Sequence, residues 1–183
     1  IFANTIKSSE DIAFAYKRKV KLMTVDNEPE LYKIAKSCPG AKVLVRIKVE
    51  NIGSTVELSL KFGADPEQAI FLLKKAKSLG LKPLGIAFHV GSQCLNVKNY
   101  LNALSVSSEI FAESEKMGMP LELLDIGGGF PIRHFDDDKQ ISFQDIAMAI
   151  KKKMKRLFNP RVRFMAEPGR FFVGPAGTLV TQV

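Results

Sequence analysis

An α/β architecture with parallel strands is predicted by two features of the chain. Short, nearly continuous apolar runs alternate with amphipathic helical stripes, and no Gly/Ser- or Pro-rich linker interrupts the alternation. The runs are residues 1–3, 21–25, 43–49, 84–90, 121–126 and 162–166. They are rich in Val, Ile, Leu and Phe and lack the strict alternation of a half-solvated strand. They therefore read as strands buried on both faces. Strand–helix–strand repetition implies parallel pairing through right-handed crossovers, and a single domain over residues 1–183. The 183 residues fall short of the roughly 250 typical of a closed (β/α)8 barrel.

The helices are placed by the 3.6-residue period. Leu31, Ile34, Ala35 and Cys38 share one face, as do Ala69, Leu72, Leu73 and Ala76. Val97, Leu101, Leu104 and Phe111 form a third stripe. The longest contains Phe143, Ile146, Ala147, Ile150, Met154 and Leu157. Asp65, Pro66 and Gln68 read as an N-cap, a first-turn proline and a capping-box partner. Asn27 with Glu30 and Ser142 with Asp145 repeat the capping pattern. Gly80 and Gly118 stand where helices stop. The one long irregular stretch is residues 50–64.

Composition narrows the classes. Hydrophobic residues make up 46% and charged residues 25%, which excludes disordered and collagen-like chains. No apolar run approaches the roughly 20 residues of a membrane span, so no membrane role is expected. The net charge is +8. Its densest run, Lys151, Lys152, Lys153, Lys155 and Arg156, falls within a helical stripe and reads as a solvated outer face. It has no interleaved aromatics, which argues against a nucleic-acid surface. Two unpatterned cysteines, Cys38 and Cys94, argue against a disulfide framework or a zinc site, so no metal is expected. They suit a reducing, cytoplasmic setting.

Parallel α/β folds form their sites at the carboxyl ends of strands, where the unusual residues of this chain collect. One run ends in Phe88-His89-Val90-Gly91-Ser92-Gln93. His89 suits acid–base work or stacking on a flat ligand; the alternative is a structural histidine. The next ends in Leu124-Asp125-Ile126-Gly127-Gly128-Gly129-Phe130-Pro131, whose glycines permit a backbone nest for phosphate or simply a turn. The last ends in Ala166-Glu167-Pro168-Gly169-Arg170. Arg170 suits a bidentate phosphate contact and Glu167 a protonated ring nitrogen; the alternative is a mutual ion pair closing the turn. Taken together, the loops supply donors for a phosphate, an imidazole for a ring face and a carboxylate for a ring nitrogen. Pyridoxal 5′-phosphate (PLP) has that combination of needs.

These three segments resemble the signature segments of the ornithine decarboxylase family, the PLP-dependent basic amino-acid decarboxylases with an alanine-racemase-like barrel. Ile1-Phe2-Ala3-Asn4, Met23-Thr24-Val25-Asp26, Val45-Arg46-Ile47 and Leu60-Lys61-Phe62-Gly63 match in the same order. The resemblance implies a (β/α)8 TIM-type barrel, here incomplete with about six βα units. His89 is then the ring-stacking and catalytic residue, and Glu167 the catalytic partner of the pyridine nitrogen. Ser92, Gly127, Gly128, Gly129, Gly169 and Arg170 fall to the phosphate. Arg46 lies near the cofactor, or in a structural ion pair; Lys61 lies at a dimer interface, or is a surface charge.

The implied reaction is decarboxylation of a small-molecule amino acid, ornithine or lysine, to putrescine or cadaverine in polyamine biosynthesis, by a homodimer when full length. Diaminopimelate decarboxylation and a non-catalytic regulatory homologue are the alternatives. The family's Schiff-base lysine segment, its Cys-Asp motif and its C-terminal β-domain have no counterpart here. The chain is thus expected to be the interior of a longer protein, inactive alone, lacking the N-terminal strands as well.

Overall fold

A computed structural model describes residues 1–56, 61–133, 142–177 and 180–182. In chain order the elements are α1 (Ser9–Lys17), β1 (Leu22–Val25), α2 (Glu28–Ser37), β2 (Lys42–Arg46), α3 (Pro66–Ser78), β3 (Lys82–Ala87), α4 (Val97–Lys116), β4 (Leu123–Asp125), α5 (Phe143–Leu157), β5 (Arg163–Met165) and α6 (Gly169–Val173). A 3-10 turn, Gly174–Ala176, follows.

The strands form one parallel sheet in the order β1-β2-β3-β4-β5. Sequential order decides the architecture. Successive crossovers of one hand carry every helix to the same face, so the sheet curls as a barrel wall and not as a doubly wound sheet. The hydrophobic clusters agree. The larger joins the outer strand positions Met23, Val43, Val45, Ile86 and Leu124 to helix residues such as Ile12, Leu31, Leu73 and Leu104. The smaller holds Leu44, Leu84, Ala87 and Leu123, with Leu22 and Met165 against it, on the opposite, inner face.

Of the six apolar runs, residues 1–3 make only one bridge, Phe2 to Met23, so five become strands. The others overrun their strands because Phe88, Val90 and Ile126 are buried in strand-end loops and keep the runs apolar beyond the ladder. β5 departs from the expected two-sided burial: Arg163 and Phe164 are exposed, since it pairs with β4 alone. Pro83, inside β3, has no N–H to give. The register with β2 slips there, Val43 facing Pro83 and Leu44 facing Gly85.

The stripes of α2 and α3 are buried as expected, and Cys38 is a core residue at the α2 terminus. In α4, Leu104 and Phe111 of the predicted stripe are buried together with Tyr100, Ala103, Ser107 and Ile110, while Val97 and Leu101 are half-buried at the margin of that face. The caps differ more from expectation. Asn27 accepts from the Glu30 N–H, but the Glu30 side chain does not return to it; it lies buried between Lys7 and Lys33. Asp65 and Ser142 occupy N-cap positions without side-chain capping bonds, and Asp65 pairs with Lys48 at 3.1 Å. Gly80 and Gly118 follow the ends of α3 and α4 with φ of 74° and 68°.

Helix α1 is absent from the sequence reading. Its apolar residues are few, Phe14 is 60% exposed, and only Ile12 and Ala15 are buried. Ser8 caps it, accepting from the Asp11 N–H at 3.0 Å. Just before α1 lies Lys7, 3% exposed, whose ammonium donates to the carbonyls of Asn4 and Thr24 at 2.8 Å and pairs with Glu30 at 3.1 Å. Burial pulls its pKa below the usual lysine range, opposed by Glu30. A buried cation with this many partners ties the segment before α1 to β1 and α2, and removing one partner costs several kcal/mol. Among the described residues, no helix is long and apolar enough to cross a membrane.

Candidate functional site

The inner positions of the strands change character along the barrel axis. Leu22, Leu44, Leu84 and Leu123 are followed, two residues on or near the strand ends, by Thr24, Arg46, Ala87 and Asp125. Period-two alternation puts three of these pairs on one face, and the register slip in β3 brings Ala87 to the same face as Leu84, so an apolar layer gives way to a polar one at the carboxyl ends. Ala3, Thr24, Arg46, Ala87, Phe88, His89, Asp125 and Glu167 line a single hollow there. The structure thus brings together Arg46, His89 and Glu167, which lie far apart in sequence.

Electrostatics in this hollow are set by burial. The Arg46 guanidinium sits 5.2 Å from the centre of the Phe62 ring. Desolvation lowers its pKa, and Asp26, Glu167 and Asp125 oppose that. Desolvation raises the pKa of both carboxylic acids: Glu167 is pushed further by Asp125, while Asp125 is held back by its bond from the Gly127 N–H and by Arg46. The His89 pKa falls to about 4, chiefly from burial and secondly from the Arg46 charge. Its Nδ1 accepts from the Gly91 N–H at 3.0 Å, which places the proton of the neutral ring on Nε2. At neutral pH the imidazole is an uncharged flat ring, a surface for stacking rather than a cation.

The three glycines interlock three loops. A Cβ on Gly127 would lie 2.2 Å from the Phe88 carbonyl oxygen, and one on Gly129 2.2 Å from that of Gly91. A Cβ on Gly128 would lie 2.7 Å from the Glu167 carbonyl oxygen and 3.1 Å from His89 Nε2. Gly127 and Gly129 also adopt φ of 64° and 94°, which side chains resist. The Gly127 N–H is spent on Asp125 at 2.9 Å. Among the described residues, the N–H groups of Gly128 and Gly129 donate to no protein acceptor. Nor does the Ser92 hydroxyl have a partner among them, while the Ser92 backbone is bonded to Thr55 and Val56.

Arg170 stands apart. It lies on α6, exposed, and no Glu167–Arg170 ion pair closes the turn; that alternative is set aside in favour of Glu167 facing Arg46 and Asp125. Gly169 N–H instead donates to the Glu167 carbonyl at 2.8 Å, and the Glu167 N–H to that of Gly127 at 2.8 Å. Lys61 is exposed, and Leu60 of the matching segment lies outside the described residues.

Several site residues escaped the sequence reading. Asp125 had a visible signal, an acid at a strand end before glycines. Tyr100 had none: its hydroxyl donates to the Gly128 carbonyl at 2.9 Å, 28 residues away, and its ring, fully buried, stacks on Phe130 at 5.4 Å. Ser54 donates to the Val90 carbonyl at 2.6 Å, and Asp26 accepts from the Gly63 N–H at 2.9 Å.

The donor set fits a phosphorylated pyridine. Two adjacent free N–H groups and a hydroxyl suit an anion; an uncharged imidazole and a carboxylic acid with a raised pKa suit a ring and its nitrogen. Thr24 Oγ1, buried in the same hollow, has no hydrogen-bond partner.

Comparison with known proteins agrees. Residues 1–174 match the family described as "Pyridoxal-dependent decarboxylase, pyridoxal binding domain". Lysine/ornithine decarboxylase of Selenomonas ruminantium is 46% identical over 185 aligned residues, covering 100% of this chain and 46% of that protein. Antizyme inhibitor 2 of Xenopus laevis is 39% identical, covering 100% of this chain and 40% of that protein. The solved structure of SrLDC in complex with PLP and cadaverine superimposes with a TM-score of 0.84 at 43% identity, covering 92% of this chain and 42% of that one. The chain spans less than half the length of these relatives. A parallel wall with charged groups and free N–H donors at its carboxyl ends, matched along nearly its whole length, makes this chain a member of the pyridoxal-dependent decarboxylase family, in its pyridoxal-binding domain.

Proposed function

We propose that the protein carrying this chain decarboxylates a basic amino acid, ornithine or lysine, to a diamine, and that this chain holds the cofactor. The convergence of Arg46, His89, Asp125 and Glu167 on one hollow, beside the free N–H groups of Gly128 and Gly129, carries the proposal. When bound, PLP supplies an electron sink for the pair released as carbon dioxide leaves the substrate α-carbon.

The residues of this chain prepare that sink. His89 presents a neutral ring for stacking, its orientation fixed by the Gly91 N–H. Glu167 holds a proton readily because burial and Asp125 raise its pKa, and it would share a proton with the pyridine nitrogen of bound PLP. Arg46 keeps the carboxylate pair from repelling itself apart. Ser92, Gly127, Gly128 and Gly129 form the phosphate cradle, with only the last two glycines giving free N–H groups. Gly169 and Arg170, on the exposed turn into α6, would complete the phosphate site as the family resemblance implies. Homodimerisation, with Lys61 at the interface, and a cytoplasmic setting belong to the same reading; two buried free cysteines suit the latter.

Incubation of the intact protein with PLP and carboxyl-labelled L-lysine or L-ornithine tests this. Release of labelled carbon dioxide with formation of cadaverine or putrescine is expected; no release from either overturns the reading. The similarity to antizyme inhibitor 2 favours a non-catalytic homologue as the second reading. It predicts no visible absorbance from bound PLP and no diamine.

A further inference from the structure

Gln93 lies between the loop that leaves β3 and the chain that leaves the triple glycine. Its φ is 53°, in the left-handed region that residues with a side chain rarely adopt. Its carboxamide makes two bonds to one residue: Nε2 donates to the Ile132 carbonyl at 2.8 Å, and Oε1 accepts from the Ile132 N–H at 2.9 Å. One bond would fix a distance; two fix orientation as well.

The neighbours are tied from both sides. Ser92 N–H donates to the Val56 carbonyl at 3.2 Å, and Thr55 N–H to the Ser92 carbonyl at 2.9 Å. Cys94 N–H donates to the Gly129 carbonyl at 2.8 Å. Ser92 is therefore held against residues 55 and 56 on one side. Through Gln93 and Cys94 it is bound to the glycine turn on the other. A left-handed backbone persists at a bulky residue only where its surroundings hold it.

We infer that Gln93 is a positioning residue: its carboxamide clamps the Ser92 loop to the exit of the glycine turn. The Ser92 hydroxyl and the Gly128 and Gly129 N–H groups then keep one spacing and act as a single cradle for the cofactor phosphate. This rests on the PLP reading above and deepens it. Gln93 does not line the hollow that holds His89 and Glu167. Its influence is confined to the phosphate end, and the ring end does not depend on it.

That division supplies the test. Gln93→Asn keeps a carboxamide and tolerates the left-handed backbone but is one methylene too short to reach Ile132. Gln93→Gly removes the clamp and the backbone strain together, so it folds where Asn does not. The intact protein and both variants are titrated with PLP and, separately, with pyridoxal, which lacks the phosphate, and melting temperatures are recorded. PLP affinity is expected to fall about tenfold in both variants, the effect of losing a pair of hydrogen bonds that order the cradle. Pyridoxal affinity is expected to stay within about twofold, again on the scale of affinity differences. Equal losses for PLP and pyridoxal, or unchanged PLP affinity in either folded variant, overturn the inference alone. Absence of PLP binding by the unsubstituted protein overturns the functional reading, and the inference with it.

Discussion

The two faces of the sheet obey different rules. Outside, between strands and helices, Val43, Val45, Ile86, Leu73 and Leu104 are fully buried and apolar, and their packing is close to what a hydrophobic pattern alone dictates. Inside, a thin apolar layer of Leu44, Leu84 and Leu123 supports Arg46, Asp125 and Glu167, whose desolvation is only partly offset by the attraction of Arg46 to the two acids. The outer face stabilises the barrel wall; the inner mouth holds charges and an unpartnered Thr24 hydroxyl at a cost to it. Substitutions should separate the two, with stability following the outer face and cofactor chemistry following the inner one.

The largest effect on stability is expected at the glycine turn, where both faces meet. Gly127→Ala drives a methyl to within 2.2 Å of the Phe88 carbonyl oxygen at a φ of 64°. Chemical denaturation should show a loss of more than about 3 kcal/mol, with PLP binding lost as well. On the outer face, Leu73→Ala should cost about 3 kcal/mol by the same measurement. It should leave PLP affinity in the folded fraction unchanged; a specific loss of PLP there would break the separation.

His89 sharpens the comparison through pH. Its folded pKa of about 4 lies below the ordinary 6.5, so between these values the unfolded chain binds more protons. The contribution is therefore present above pH 6.5 and lost as pH falls toward 4, by at most about 3 kcal/mol. Glu167 and Asp125, with raised pKa values, act in the opposite sense, favouring the folded state as acid neutralises them. The comparison is thus made between the unsubstituted protein and His89→Asn, whose stability should fall less steeply from pH 6.5 to 4. Identical slopes would show that His89 is not held neutral by burial. The smallest effect belongs to the solvated face of α5: Lys152→Ala and Lys155→Ala should each change stability by less than about 0.5 kcal/mol.

What the residues disclosed in advance follows the same division. Outer packing was legible because it repeats with a period: the stripes of α2 and α3 fall where Leu31, Ile34, Leu72 and Leu73 place them. The strand-end motifs were legible because histidine, three glycines and an acid–arginine turn are unusual in apolar surroundings. Contacts between loops were not. Nothing near Tyr100 marks it as the partner of Gly128, and nothing near Gln93 marks Ile132, since both bonds are made by tertiary approach of segments 28 and 39 residues apart. Caps were legible in position but not in bonding: Asp65 starts α3 yet turns its carboxylate to Lys48, because an ammonium outcompetes a backbone N–H.

The central claim is that the inner mouth serves the cofactor ring through Glu167, independently of the wall that carries it. Glu167→Gln is nearly isosteric and cannot hold an acidic proton against the pyridine nitrogen. Steady-state kinetics of the intact protein, with bound PLP quantified by visible absorbance, should show kcat reduced about 100-fold or more, the scale of removing one electrostatic partner of the reacting centre. PLP occupancy and melting temperature should be retained. Unchanged kcat in a PLP-loaded Glu167→Gln protein would contradict the account.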